Sequence, residues 1–144
     1  EFAIGTSLLP ELLAEANIHA SAFDLRELMR KDSLDLDEAD RALIRHEITE
    51  SEATRILVTH GTDTMTDTAL ALAGIEGKTV VLTGAMQPAR MRRTDAVFNL
   101  GFAWAAVELL PVGVYLAMNG EVFEAGNVRK NRKAHRFERV SPTY

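Results

Sequence analysis

Thr62 and Asp63 sit side by side in the stretch Ile56-Leu57-Val58-Thr59-His60-Gly61-Thr62-Asp63-Thr64-Met65. A threonine hydroxyl is a usable nucleophile, or a group that orients water, when a base lies beside it. A lysine can be that base where desolvation lowers its pKa. The neighbouring carboxylate can pair with a cation or receive an ammonium group. The pair also has a plainer reading, with Thr62 as a turn residue and Asp63 as the N-cap of the following helix. What the rest of the chain delivers to this point decides between the two.

The elements that must position the pair are legible. Ile56 to Thr59 is a run of aliphatic and β-branched residues and reads as a buried strand. Small and polar residues then open the amphipathic run Thr66 to Ala73. The strand therefore carries Thr62 and Asp63 to the carboxyl edge of a sheet and to a helix N-terminus. Open α/β sheets place ligand sites at that edge, and helix N-termini favour anionic groups.

Upstream, Ser7 to Ala16 places Leu8, Leu9, Leu12, Leu13 and Ala16 at helical spacing, with Ser7 as cap and Pro10 in the first turn. Ile18 to Leu25 reads as a strand and Arg30 to Ser33 as a polar loop. Asp35 or Asp37 then caps a helix running to Thr49, whose inward face is Leu36, Leu43, Ile44 and Ile48. Downstream, Gly74 closes the helix behind the central strand, and Gly77-Lys78 makes a turn. Thr79 to Thr83 is a strand; Asp95 to Leu110 is a helix packing Val97, Leu100, Trp104 and Val107, stopped by Pro111. Val112 to Met118 is a further strand, and Asn119-Gly120 signals a hairpin into Glu121-Val122-Phe123. This alternation predicts an α/β fold, a mainly parallel sheet flanked by helices on both faces, in a single domain over residues 1–144.

Composition narrows the function classes. With 144 residues, 47% hydrophobic and 26% charged, the chain can bury a real core and is not of disordered type. Its longest apolar run, Val97 to Leu110, is broken by Asn99 and Glu108, so no membrane-spanning segment is expected. Cys is absent, which excludes disulfides and thiolate metal sites. His19, His46, His60 and His135 lack metal-pair spacing; no metal or cofactor is expected, and His60 reads as a hydrogen-bonded strand-end residue. The chain opens on Glu1-Phe2 without a targeting segment, and a cytoplasmic location is the expectation.

Two further features favour their plain readings. Gly74-Ile75-Glu76-Gly77-Lys78-Thr79 is not a phosphate loop, because Leu72 stands where a Gly is needed and a strand follows instead of a helix. The net charge of −5 hides a basic segment from Glu124 to Arg139 with six Lys/Arg against two Glu, a net +4, so the remainder carries −9. With Phe137 as its lone aromatic, that segment reads as a solvated surface and not as a nucleic-acid patch.

His60-Gly61-Thr62-Asp63-Thr64-Met65 resembles the second signature of the bacterial-type L-asparaginase/glutaminase family. Asp32-Ser33-Leu34-Asp35 resembles its substrate loop. Thr83-Gly84-Ala85-Met86-Gln87-Pro88, with Asp95 and Asn99-Leu100 behind it, resembles its loop-and-helix segment. Met118-Asn119 followed by Asn127-Val128-Arg129-Lys130 resembles the stretch that supplies its catalytic lysine. The segments fall in the family's order over nearly the whole chain and look closest to a short-chain form without the usual second domain.

The resemblance implies a Thr-Lys-Asp triad of Thr62, Lys130 and Asp63. It implies that Ser33 holds the α-carboxylate of L-asparagine, that Asp63 also receives its α-amino group, and that the Ala85 carbonyl accepts from the side-chain amide. It further implies a symmetric homo-oligomer. The chain departs from the pattern at its start. The family's opening Thr-Gly-Gly-Thr-Ile signature, with its primary nucleophile, is absent, and Gly5-Thr6-Ser7 follows too short a strand to replace it. No Tyr precedes Tyr115, so the lid tyrosine is missing, and Leu34 stands where a glutamine often helps bind the α-amino group. The first strand is therefore expected to be absent, through a start downstream of the true N-terminus or loss of the segment, leaving a sheet edge or gap that promotes self-association.

Three function classes follow. The first is an amidohydrolase converting L-asparagine to L-aspartate and ammonia through a threonine acyl-enzyme. The second is an amino-acid-binding or regulatory domain that retains the pocket without the chemistry. The third is a polyanion-binding role for the basic segment, which would show a steep salt dependence.

Overall fold

Helices and strands alternate along the chain in the computed structural model, which describes residues 2–4, 9–87 and 94–141. The order is β1 (Phe2–Ile4), α1 (Leu9–Glu15), β2 (Arg26–Met29), α2 (Glu38–Glu50), β3 (Arg55–Thr59) and α3 (Met65–Leu72). There follow β4 (Thr79–Thr83), α4 (Ala96–Leu109), β5 (Gly113–Met118), β6 (Glu121–Glu124), β7 (Arg129–Asn131) and β8 (Arg136–Glu138). Single 3-10 turns occupy Ala20–Ala22 and Ser33–Asp35.

Six strands form one sheet in the order β2-β1-β3-β4-β5-β6. All neighbours are parallel except β5 and β6, which pair antiparallel through the Asn119-Gly120 turn. Asn119 and Gly120 both have positive φ (51° and 84°), as a two-residue hairpin turn demands. The centres of β3, β4 and β5 are buried on both faces, so each face must be covered. Ile56, Val58, Val80, Leu82 and Leu116 pack under Ile44 and Ile48 of α2 and Met65, Ala69 and Leu72 of α3. Leu57, Val81, Tyr115 and Ala117, one residue out of phase, pack under Leu9 and Leu13 of α1 and Leu100, Ala103 and Val107 of α4. The expected mainly parallel sheet with helices on both faces is thus observed. Among the described residues no helix is long and apolar enough to cross a membrane.

Several details correct the sequence reading. The opening strand is not missing: Phe2–Ile4 pairs with β2 on one side and β3 on the other, filling the expected gap. Ile18 to Leu25 is not a strand. Ile18, Phe23 and Leu25 pack laterally onto the α1/α4 side of the core around a 3-10 turn, and sheet pairing begins only at Arg26. Asp37, not Asp35, caps α2, in a reciprocal box with Asp40. Leu43 is 43% exposed, since the helix turns Ile44 and Ile48 inward and carries Leu43 to the flank. On α4, Leu100 and Val107 are buried as expected, but Val97 faces out and small Ala103 and Ala106 meet the sheet instead. Ser7 and Gly5-Thr6-Ser7 lie outside the described residues, as does Pro88.

The basic segment is a two-stranded hairpin, β7 with β8. Its register pairs Lys130 with Phe137, so the two side chains share one face. Phe137 and Val128 are buried in the α2/α3-side core, which seats the hairpin against the body. The alternate positions are polar, with Arg129 exposed and Glu138 half-buried: Arg129 Nε donates to Glu138 Oε1 at 2.9 Å and Asn131 Nδ2 to Glu138 Oε2 at 3.3 Å. Half of the segment is solvated surface, and the other half is a clamp.

Candidate active site

β3 ends at Thr59, and the chain crosses to α3 through His60-Gly61-Thr62-Asp63-Thr64. The turn is held from below. His60 N–H donates to the Thr83 carbonyl at 2.9 Å, extending the β3–β4 ladder by one rung. The His60 ring is buried, with Nδ1 2.6 Å from the Gly61 carbonyl and Nε2 2.8 Å from Thr68 Oγ1. A carbonyl only accepts, so Nδ1 carries the proton and Nε2 accepts from the Thr68 hydroxyl. Thr68 in turn accepts from Arg41 Nε at 3.3 Å. Burial lowers the His60 pKa, outweighing the Gly61 carbonyl, and so favours the neutral ring. The expected strand-end role of His60 is what the bonding shows.

Asp63 does not cap the helix. The N-cap of α3 is Thr64, whose hydroxyl donates instead to the Ser33 carbonyl at 2.6 Å. The Asp63 carboxylate turns to the β7–β8 hairpin. Lys130 Nζ donates to Asp63 Oδ1 at 2.8 Å and to Thr62 Oγ1 at 2.9 Å. The Lys130 side chain is only 15% exposed. Arg132 approaches the same carboxylate, with Nη1 3.2 Å from Oδ1 and Nη2 3.5 Å from the Asp63 carbonyl. The bond from Lys130, supported by the charges of Lys130 and Arg132, holds the Asp63 carboxyl below its ordinary pKa against partial burial.

Ser33 is buried in its 3-10 turn, opened by Asp32, which accepts from Leu34 N–H at 3.0 Å. It reaches the Thr62 turn through Gly61: a Cβ on Gly61 would lie 2.8 Å from Ser33 Cβ and 3.0 Å from its Oγ. Leu34 points away, largely exposed.

Ala85 lies on the neighbouring loop after β4, and a single carboxylate organises that loop. Asp95, at the start of α4, accepts from Met86 N–H at 3.1 Å, Gln87 N–H at 3.0 Å, Asn99 Nδ2 at 2.9 Å and Asn119 Nδ2 at 2.8 Å. Asn99 also donates to the Gly84 carbonyl at 2.9 Å and accepts from Asn119 N–H at 2.9 Å. The peptides on both sides of Ala85 are therefore anchored. Gly84 fits because it has no Cβ, which would sit 2.2 Å from the His60 carbonyl oxygen.

Lys130 thus bonds directly to Thr62 and Asp63, Ser33 meets the same turn at Gly61 and Thr64, and Ala85 lies on the adjoining loop. Sequence reasoning missed Arg132, and it named Asp95, Asn99 and Asn119 only within resembling segments, without the bonds that join them. Arg132 stands just beyond β7, in the turn to β8, and nothing in its local sequence marks it. Asn119 was read as a turn former and as part of the resembling Met118-Asn119 stretch, and its amide does a further task at Asp95.

A sheet whose carboxyl edge holds a hydroxyl, an amine and a carboxylate in mutual hydrogen bonding defines an α/β domain equipped to move a proton to or from a threonine oxygen. The chain belongs to the asparaginase N-terminal family: the profile described as "Asparaginase, N-terminal" matches residues 5–142. It is 37% identical over 91 residues to a glutaminase-asparaginase of Acinetobacter glutaminasificans, covering 60% of this chain and 28% of that one. It is 33% identical over 146 residues to a glutamyl-tRNA(Gln) amidotransferase component of Methanococcus vannielii, covering 94% of this chain and 34% of the relative. A probable periplasmic L-asparaginase of Haemophilus influenzae is 40% identical over 93 residues, 61% of this chain and 27% of its own length. The chain therefore spans about a third or less of these relatives. The fold matches the thermostable L-asparaginase from Thermococcus kodakarensis with a TM-score of 0.82 at 24% identity, over 99% of this chain and 51% of that one.

Proposed function

We propose that this domain carries out amide hydrolysis on L-asparagine, releasing L-aspartate and ammonia through an acyl-enzyme on threonine. The observation that carries the reading is the pair of bonds from Lys130 Nζ to Thr62 Oγ1 and Asp63 Oδ1. In the first half-reaction the Thr62 oxygen adds to the side-chain amide carbon. Lys130 passes a proton to the amide nitrogen as it takes the hydroxyl proton, the C–N bond breaks, and ammonia leaves. In the second, water adds to the ester carbon, its proton returns through Lys130 to the Thr62 oxygen, and L-aspartate departs. Asp63 keeps the Lys130 amine on the hydroxyl throughout. Ser33 is assigned to the α-carboxylate through its neutral hydroxyl, the Ala85 carbonyl to the side-chain amide, and Asp63 to the α-ammonium, whose charge it balances.

The test is acid quenching of the complete protein with L-asparagine, followed by peptide mass mapping. An aspartyl adduct on the Thr62 peptide, absent from Thr62→Val, is the expected result. Steady turnover with no adduct at any threonine would overturn the ester mechanism.

A second reading has its own support. The similarity to the amidotransferase component runs over 94% of this chain, further than either asparaginase match. The same site would then release ammonia from an amide amino acid for use by a partner. Comparing kcat/KM for L-glutamine and L-asparagine separates the two, because one methylene in a fitted pocket changes the ratio by about 10–200-fold. We include self-association in the proposal, now on a different ground from a missing strand. Phe98 lies exposed on the outer side of α4, stacked on Phe102 at 6.3 Å, beside exposed Val97. Sedimentation showing only monomer would remove it.

A further inference from the structure

Asp63 Oδ1 accepts from two cations at once, Lys130 at 2.8 Å and Arg132 at 3.2 Å. One carboxylate balances one of them, so the cluster carries a surplus positive charge at the mouth of the site. Lys130 is consumed by its bonds to Thr62 and Asp63. Arg132 is not: a guanidinium has five N–H donors, and only Nη1 and Nη2 each make one contact here, the second at 3.5 Å. Its side chain is 61% exposed, and an ion pair that open contributes little to holding a hairpin in place. Phe137 and Val128 already seat the hairpin by burial.

From this geometry we infer that Arg132 is a specificity-determining residue that reads the α-carboxylate of the substrate; the inference rests on the amidase reading above. A zwitterionic amide brings one ammonium and one carboxylate. The ammonium has a place at Asp63 Oδ2, which accepts from no described residue, since both cations bond to Oδ1. The carboxylate needs a cation, and Ser33 offers only a neutral hydroxyl, its carbonyl being occupied by Thr64. Among the described residues, Lys130 and Arg132 are the cationic side chains bonded to the Thr62-Asp63 turn. Arg132 has the unspent donors, and its planar fork matches a carboxylate. It thereby selects amino-acid amides over amides that lack the α-carboxylate.

The experiment uses the complete protein as wild type, Arg132→Ala and Arg132→Lys. It compares L-asparagine with β-alaninamide, which keeps the amide and the ammonium but has no α-carboxylate. Arg132→Ala is expected to raise KM for L-asparagine by about tenfold or more, leave kcat within about twofold, and leave KM for β-alaninamide unchanged. Arg132→Lys is expected to recover part of the loss. A residue that merely tied down the hairpin would instead lower kcat for both amides alike, and that outcome, or no change at all, overturns the inference. Calorimetry with L-aspartate and β-alanine separates this from the amidase reading. No ammonia release by wild type, with L-aspartate binding that weakens in Arg132→Ala while β-alanine binding does not, removes the amidase reading and keeps the role of Arg132. Turnover by wild type with an indifferent Arg132→Ala does the reverse. A wild type that binds neither ligand and turns over neither amide removes both.

Discussion

Lys130 Nζ and Thr62 Oγ1 lie 2.9 Å apart although 68 positions of chain separate them. The contact exists because a hairpin of two three-residue strands folds back onto the α2/α3 side of the sheet, with Phe137 buried beside Lys130 as its anchor. Removing the amine takes away the group that links hydroxyl to carboxylate but leaves the anchor. Lys130→Ala is therefore expected to lower ammonia release by about 10²–10⁴-fold while the complete protein still folds, because Asp63 retains Arg132. Coupled ammonia assays beside circular dichroism check this; retained turnover would end the assignment of Lys130.

Asp95 is expected to act on the same chemistry from a distance, as a positioning residue. Burial pushes its carboxyl up, but the Gln87 N–H, the Asn119 amide, the Met86 N–H and Asn99 together outweigh burial and hold it below its ordinary value. A depressed carboxyl contributes stability above the unfolded value, about 3.9, and loses it as the pH falls through the folded value. Asp95→Ala leaves the Met86 and Gln87 N–H groups without their acceptor, at a cost of about 1–3 kcal/mol. Amide hydrogen exchange at Met86 and Gln87 is expected to accelerate, and the acid limb of the urea midpoint below about pH 4 to flatten. Unchanged exchange at both amides would show that the loop is held by something other than this carboxylate.

The buried His60 carries a second pH dependence of the opposite chemical type. Its folded pKa is lowered by burial, whereas an unfolded chain takes up a proton near about pH 6.5. The unfolded state binds more protons in that window, so stability is full above about pH 6.5 and falls as the pH drops towards the folded value. Nitrogen-15 shifts are expected to show a neutral ring protonated at Nδ1. Thr68→Val, which strips both Nε2 of His60 and Nε of Arg41 of their partner, is expected to cost about 1–3 kcal/mol. A ring protonated at Nε2 in the wild type would contradict the bonding seen around Gly61.

How much of this was legible depends on how local each signal is. Thr79–Thr83 was readable to both ends, because an apolar run follows a glycine turn and nothing else fits it. The β5–β6 hairpin was readable from Asn119-Gly120, since few other residues tolerate positive φ in succession. Ile18 to Leu25 misled because apolar residues that pack sideways on a core look like a strand until pairing partners are known. The site split along the same line. Thr62 and Asp63 stand next to each other on a strand-to-helix turn, but choosing between a cap and a charge pair needs Lys130. Its place came through resemblance, because three-residue strands carrying mostly charge give no periodicity to read. Arg132 and Asn119 act across the fold on groups far away in sequence, and no local pattern announces that.

Two glycines give a paired test of how tightly the floor of the site is packed. Gly84 follows β4 directly against the end of β3, and a Cβ there would fall 2.2 Å from the His60 carbonyl oxygen and 3.0 Å from the Met65 terminal methyl. The Met65 methyl can move, but the carbonyl belongs to the backbone whose N–H holds the last rung to Thr83. Gly84→Ala is expected to push the two strand ends apart, cost about 1–3 kcal/mol, and reduce turnover because the His60-to-Asp63 turn moves with them. Gly101 lies on the exposed side of α4 with nothing within 4 Å of the added carbon. Gly101→Ala is expected to stabilise by about 0.5–1 kcal/mol through helix propensity alone and to leave turnover unchanged. Urea midpoints and ammonia release on both variants decide the matter: if Gly84→Ala proves as harmless as Gly101→Ala, the close approach of the β3 and β4 ends is not what holds Thr62 in register with Lys130.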